Sequence, residues 1–308
     1  MDIMNLSGRP EGVLRSWLPK DLRADKVVFF PDACPSDAPL PTGTATLLAV
    51  ANWRKYAISD VGCGMRFLRS RQKTGALTMD KWSRLAEELK SNKGRLGDLG
   101  GGNHFLDALE PYSEDRLCFL IHTGSRSESG LVDAHVEHPV RFDEEYERIL
   151  NWARSNRENT QTAIEEIFGE TEPVLDLPHN SFERMPDGRV IIRKGAVRVE
   201  QGDLSIIPSH IGGDAVLVQA SDRIGEILNS LSHGTGRVGP RGEIKPLGDA
   251  YDFSALRKKV LIPPQITDSS LRTEGPFAYR DLDSSLDLLK EYIIVKERFS
   301  VIGYLGHL

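Results

Sequence analysis

The sequence predicts an α+β fold, organised as a single domain over residues 1–308. Three observations carry that reading. Tyr146, Ile149, Leu150 and Ala153 follow the i, i+3, i+4, i+7 spacing of one apolar helix face. Beyond residue 170 the texture changes to short apolar or β-branched runs separated by Gly, Pro and Asp, as strands joined by turns require. No internal repeat, heptad or low-complexity linker divides the chain, and its length is enough to bury a large core.

Taken in order, residues 1–45 read as an irregular N-terminal segment, because Asp32-Ala33-Cys34-Pro35-Ser36-Asp37-Ala38-Pro39 is rich in Pro, Asp and small residues. Leu47 to Ile58 leads a strand or turn toward Asp60. Met79 to Leu89 has helical spacing and a stop at Asn92-Lys93-Gly94. Leu117 to Ile121 is a buried-strand run that delivers His122 at its end. The amphipathic helix covers Glu144 to Arg154, and a second helical stretch, Thr160 to Phe168, follows the polar run Ser155 to Asn159. Strands are expected at Val174–Leu177, Val190–Ile192, Leu204–Ile207 and Ala215–Val218, with a turn at Met185-Pro186-Asp187-Gly188. A closing helix, Ser285 to Tyr292, takes Ser284 as its N-cap, and the apolar tail Val301 to Leu305 follows.

Composition narrows the setting. With 39% hydrophobic and 27% charged residues and a net charge of −6, the chain is that of an ordinary globular protein. No stretch approaches the about 18 to 20 apolar residues that span a bilayer. Met1 to Asn5 lacks a basic region followed by an apolar one, so no secretory signal is expected. Three cysteines far apart in sequence suit a reducing compartment, which predicts a cytoplasmic protein. A net acidic chain is no general nucleic-acid coat, so an RNA partner would need a local basic patch.

Five short segments carry chemistry. Asp60 and Cys63, flanked by Gly62 and Gly64, place a carboxylate and a thiol where they can converge on one ion; the alternative is a structural cysteine beside a turn aspartate. Gly100-Gly101-Gly102-Asn103-His104 puts three glycines before a polar pair, which suits a phosphate approaching main-chain N–H groups, or else a flexible loop. His122-Thr123-Gly124-Ser125-Arg126 fits metal plus phosphate binding, against a satisfied core histidine. His179-Asn180 ends another strand, and Arg193-Lys194-Gly195-Ala196-Val197-Arg198 is the best local candidate for gripping a nucleic-acid backbone, although basic runs are usually solvated faces. His233-Gly234-Thr235-Gly236-Arg237 holds a nucleophile-competent histidine between glycines that leave space. Arg237 and Arg241 can balance phosphate charge there, and a helix-initiating histidine is the bland alternative. His135 and His138 read as surface residues. Together the three histidines, one cysteine and one aspartate make a mixed O/N/S site that suits Mn²⁺ or Zn²⁺ better than Mg²⁺. A Walker-type loop is absent from the sequence.

In this order, Asp60-x-Gly62-Cys63-Gly64-Met65, Gly100 to Phe105, His122-x-Gly124-Ser125-Arg126, His179-Asn180, Arg193-Lys194-Gly195-Ala196 and His233-Gly234-x-Gly236-Arg237 resemble the RtcB family of RNA-splicing ligases, from about residue 47 to the C-terminus. The resemblance implies stacked β-sheets flanked by helices around a central metal and nucleotide cleft. It implies a GTP- and Mn²⁺-dependent ligase, with one or two ions, joining RNA 3′-phosphate or 2′,3′-cyclic phosphate ends to 5′-hydroxyl ends. His233 would form a histidine–guanylate, and Asp60, Cys63, His104, His122 and His179 would hold metal. Asn103 and Asn180 match groups near the guanylate phosphate. The loop through Pro208, Ser209, His210 and Gly212 matches a segment beside the nucleotide, as do Gly234 and Gly236, while Tyr279 matches a base-contacting position. Arg126, Arg193, Lys194, Arg237 and Arg241 are the cations expected to meet RNA or phosphate.

Three departures fall on base recognition. Asp107 stands where the family usually has Glu, Ser209-His210 replaces Gly-Ser, and the chain ends Gly303-Tyr304-Leu305-Gly306-His307-Leu308 without the usual Lys before a final Gly. They leave open a non-ligating relative that binds or caps RNA ends, and a metal-dependent phosphoesterase that activates water.

Overall fold

The computed structural model describes residues 1–306 and 308, apart from the side chains of Arg126, Ser127 and Ser129. Residues 1–45 are not irregular. They hold β1 (Asp2–Asn5), α1 (Glu11–Trp17), β2 (Ala24–Cys34) and most of β3 (Thr42–Leu48). The β-branched and aromatic run Val27-Val28-Phe29-Phe30 drives β2, and the Pro- and Asp-rich residues fall in the loop after it. Alternation along β2 builds two layers. Val27 and Phe29 pack with Trp53, Phe142, Tyr146 and Ile149 on one side. Val28 and Phe30 pack with Val216 and Val218 on the other.

β4 (Gly64–Ser70) is followed by α2 (Met79–Ser91), which Thr78 caps and Asn92 ends. Next come β5 (Phe105–Pro111) and β6 (Cys118–Thr123). The two helical stretches expected around residues 144–168 are one 30-residue helix, α3 (Pro139–Phe168). The polar run does not break it because Asn156, Arg157 and Thr160 are buried rather than solvated. β7 (Thr171–Pro178), β8 (Asn180–Arg184), β9 (Val190–Lys194), β10 (Ala196–Arg198), β11 (Leu204–Pro208) and β12 (Asp214–Ala220) follow. The Met185–Gly188 turn joins β8 to β9. β13 (Ser230–Ser232) precedes α4 (Arg241–Asp249), α5 (Ser254–Lys259), α6 (Asp268–Leu271) and α7 (Leu282–Leu289). The N-cap of α7 is Asp281, whose carboxylate accepts from Ser284 N at 2.8 Å, so the helix starts before the expected Ser284. The apolar tail is the end of β14 (Ile293–Gly306).

Seven α-helices thus flank two main sheets among the described residues. One sheet has the order β1-β2-β3-β9-β8; the other, β11-β12-β14-β5-β6-β4-β7, is a nearly closed, barrel-like antiparallel sheet. The arrangement is α+β. Strand register decides where chemistry collects. His122 lies opposite both Met65 and Phe105, and Gly64 lies opposite Thr123 and Pro178. The start of β4, the start of β5, the end of β6 and the end of β7 therefore share one rim of the barrel.

Candidate functional site

That rim gathers the five candidate ligands. Cys63 immediately precedes β4, His104 precedes β5, His122 is the penultimate residue of β6, and His179 follows β7. Cys63 Sγ sits 3.3 Å from His104 Nε2 and 3.4 Å from His122 Nε2. Two ligand sets result: Cys63, His122 and His179, and Asp60, Cys63 and His104, with the donor atoms of each set within 4.8 Å of one another. The thiol of Cys63 belongs to both. The cluster is buried, with Cys63 fully so and His104, His122 and His179 each at most 5% exposed. Burial pushes the Cys63 thiol up, and the Asp60 charge adds to this. It pushes the His122 and His179 imidazoles down, reinforced by neighbouring histidines. Neutral imidazoles and a carboxylate are ready donors for a divalent cation, which would take Cys63 as the thiolate and displace its proton, and Nδ1 of His179 is buried without a hydrogen-bond partner. The donor set fits one or two transition-metal ions.

Asp60 is held in an unusual conformation. Ser59 and Asp60 both have positive φ, at 77° and 55°. Asn180 fixes them, since its Nδ2 donates to Asp60 O at 2.9 Å and its Oδ1 accepts from Gly195 N at 2.9 Å. Lys194 Nζ donates to Ser59 O at 3.2 Å. Strained residues persist where surrounding bonds over-determine them, and that is the case here.

His233 follows β13 and packs against His179, with ring centroids 4.4 Å apart. Its Nδ1 contacts the Asp32 carboxylate and lies 2.8 Å from Gly195 O. Both partners are acceptors, so in the neutral imidazole Nδ1 carries the proton and Nε2 the lone pair. Asp32 has a fully buried side chain and is also held by Ser232 Oγ at 2.8 Å. Two glycines permit this packing. A Cβ at Gly236, whose φ is 74°, would collide with Asp32, and one at Gly195 would come within 3.2 Å of His233 Cε1. Sequence reasoning missed Asp32. The signal was present: Val27 to Phe30 delivers Asp32 at a strand end, just as Leu117 to Ile121 delivers His122.

A cavity of about 860 Å³ opens above the cluster. Asn103, Asn180, Pro208, Ser209 and Tyr279 line it, as do Gly234, Gly236 and the histidines His122, His179 and His233. Of the expected cations, Lys194, Arg237 and Arg241 reach it. Arg237 is already committed to Glu274 Oε1 at 2.5 Å and stacks over Tyr279. The side chain of Arg126 lies outside the described residues.

Other expected residues are not brought to the cavity. Arg193 is 1% exposed, pairs with Glu183 at 2.9 Å and donates to Ser230 Oγ at 2.8 Å. Adjacent residues of a strand point to opposite faces, so β9 can offer the cavity Lys194 but not Arg193. Asp107 is buried opposite Tyr304, away from the lining, with Oδ1 unpartnered; burial raises its pKa well above the usual carboxylate range. His210 turns Nδ1 to within 2.9 Å of Ile211 O, and Gly212 packs against Leu256 of α5.

Fold and site together define a class: an α+β protein with a thiol–imidazole–carboxylate cluster at the floor of a cleft, beside an oriented histidine. The chain belongs to the RtcB family of RNA ligases, since the family model described as tRNA-splicing ligase RtcB matches residues 132–302. It is 27% identical to the RNA-splicing ligase RtcB2 of Escherichia coli, over 86% of this chain and 83% of that protein. It is 26% identical to the RNA-splicing ligase RtcB of Escherichia coli K12, over 63% of this chain and 57% of that protein. The tRNA-splicing ligase RtcB of Nanoarchaeum equitans is also 26% identical, over 66% of this chain and 57% of its own length. Against these last two, the chain spans little more than half the relatives' length.

Proposed function

We propose that the chain, acting as one catalytic domain, is a GTP- and Mn²⁺-dependent RNA ligase that joins RNA 3′-phosphate or 2′,3′-cyclic phosphate ends to 5′-hydroxyl ends. The observation that carries the reading is His233, with Nδ1–H tied to Asp32 and Gly195 O and its Nε2 lone pair left for attack, next to a two-set metal cluster. Asp60, Cys63, His104, His122 and His179 hold the ions, which neutralise phosphate charge when bound.

His233 Nε2 attacks the α-phosphorus of GTP. An N–P bond forms and the bond to pyrophosphate breaks. Asp32 stabilises the imidazolium-like charge that results, in the role a carboxylate plays behind any nucleophilic or basic histidine. A 2′,3′-cyclic end is first opened by water, whose oxygen bonds to phosphorus as the P–O2′ bond breaks and the 2′-oxygen takes a proton; the guanylate then passes to an oxygen of the 3′-phosphate, breaking the N–P bond. The 5′-hydroxyl loses its proton, forms the phosphodiester and releases GMP. Lys194 and Arg241 supply the cations that meet phosphate at the cavity, and Asn103 and Asn180 supply amides beside it. Tyr279 lines the base side, whereas Asp107 and His210 lie off it. A cytoplasmic setting belongs to the same proposal and is supported by three free thiols. No described helix is long and apolar enough to cross a membrane.

The test uses an RNA with a 2′,3′-cyclic phosphate and a partner with a 5′-hydroxyl. GTP- and Mn²⁺-dependent joined product is the expected outcome. A bare 3′-phosphate or hydroxyl as the end product, with no joined RNA when GTP and Mn²⁺ are supplied, would replace ligation with hydrolysis.

A further inference from the structure

Two consecutive residues of α3 touch all four segments that carry the candidate ligands. Arg157 is 2% exposed. Its Nη1 donates to Gly62 O at 2.9 Å and Thr123 O at 3.1 Å, the carbonyls just before Cys63 and just after His122. Its Nε donates to Asp176 Oδ1 at 2.6 Å, on the strand leading into His179. Asn156, fully buried, holds the remaining segment. Its Nδ2 donates to Asp98 O at 3.0 Å and Gly124 O at 3.2 Å, and its Oδ1 accepts from Gly97 N at 2.7 Å. Those bonds anchor the glycine loop that runs into His104. Gly62 itself rests on the same helix: a Cβ there would come within 2.9 Å of Ala153 Cβ.

Burying a guanidinium and an amide in mid-helix is costly unless bonds replace the water they lose. Here the bonds go to main chain and to the Asp176 carboxylate of the segments that carry the ligands, rather than to the helix's own turn. Only the planar fork of arginine spans two carbonyls and a carboxylate at once. We propose that Asn156 and Arg157 are positioning residues, a clamp that sets the separation of Asp60, Cys63, His104, His122 and His179 for a divalent ion. The inference rests on reading those five residues as metal ligands.

The test titrates the full chain with Co²⁺, whose thiolate charge-transfer band reports Cys63 ligation, and separately follows alkylation of Cys63 in metal-free protein. Arg157→Met is expected to weaken Co²⁺ binding about 10- to 100-fold, the usual effect of losing support behind metal ligands, and to change the band. Arg157→Lys does not rescue, because a point charge cannot replace the fork. Cys63 alkylation rises at least about tenfold in both variants. Ile164→Ala, a core truncation further along α3, lowers the unfolding temperature but leaves Co²⁺ affinity and Cys63 protection at wild-type values. Asn156→Ala is the second variant should Arg157→Met fail to fold, with the same expectation. Wild-type Co²⁺ affinity, band and Cys63 protection in the clamp variants would overturn the proposal. If the wild type takes up no Co²⁺ but Cys63 becomes reactive only in the clamp variants, the ligand assignment falls and the clamp stands.

Discussion

At the residue scale the site depends on what sits behind each reactive atom. Asp32 fixes the tautomer of His233, so Asp32→Asn removes the charge that would stabilise a nucleotidylated imidazole and, with Oδ1 kept on Ser232, turns an amide N–H toward Nδ1. Nucleotide attachment to His233, followed in a single turnover, is expected to slow at least about 10²-fold; an unchanged rate would leave Asp32 without a role. Asp107 offers a second test. Its folded pKa is raised by burial, so it favours folding below the unfolded carboxyl value of about 3.9. That advantage is lost as pH rises toward the folded pKa, at about 1.4 kcal/mol per pH unit. Asp107→Asn has no such slope. In urea unfolding the variant should therefore gain on the wild type as pH rises above the unfolded carboxyl value, and parallel curves would show that the carboxyl is not buried neutral.

At the scale of elements, legibility in the sequence followed periodicity. α2, β6, β7, β9, β11 and β12 fall where apolar spacing put them, because each buries one face or both. The polar run Ser155 to Asn159 looks like a solvated break that divides α3 in two, yet Asn156 and Arg157 within it are buried. Their burial follows from segments distant in sequence, which no local window contains. Asp32 is the opposite case: its strand was visible in Val27 to Phe30 and was masked by the Pro- and Asp-rich residues that follow. Helix α7 gives an energetic check on one misplaced boundary. Asp281→Ala should cost about 1 kcal/mol in urea unfolding, whereas Ser284→Ala should change stability by a few tenths at most. Equal losses would restore Ser284 as the cap.

At the scale of the whole molecule, two sheets and one long helix bring residues 32 to 233 to a single rim. The candidate metal ligands were legible as residue types at strand ends and in glycine-rich turns. Their sharing of Cys63 was not, because it depends on the register of β4, β5, β6 and β7. Of the residues expected beside a nucleotide, Asp107, His210 and Gly212 lie away from the cavity, while Ser209 and Tyr279 line it. The proposed chemistry at His233 can therefore be tested apart from the choice of base. Intact-protein mass spectrometry after incubation with Mn²⁺ and each nucleoside triphosphate addresses the chemistry directly. A mass gain of one nucleoside monophosphate is expected, acid-labile, located on the His233 peptide and absent from His233→Ala. No adduct with any of the four nucleotides would contradict His233 as the nucleophile.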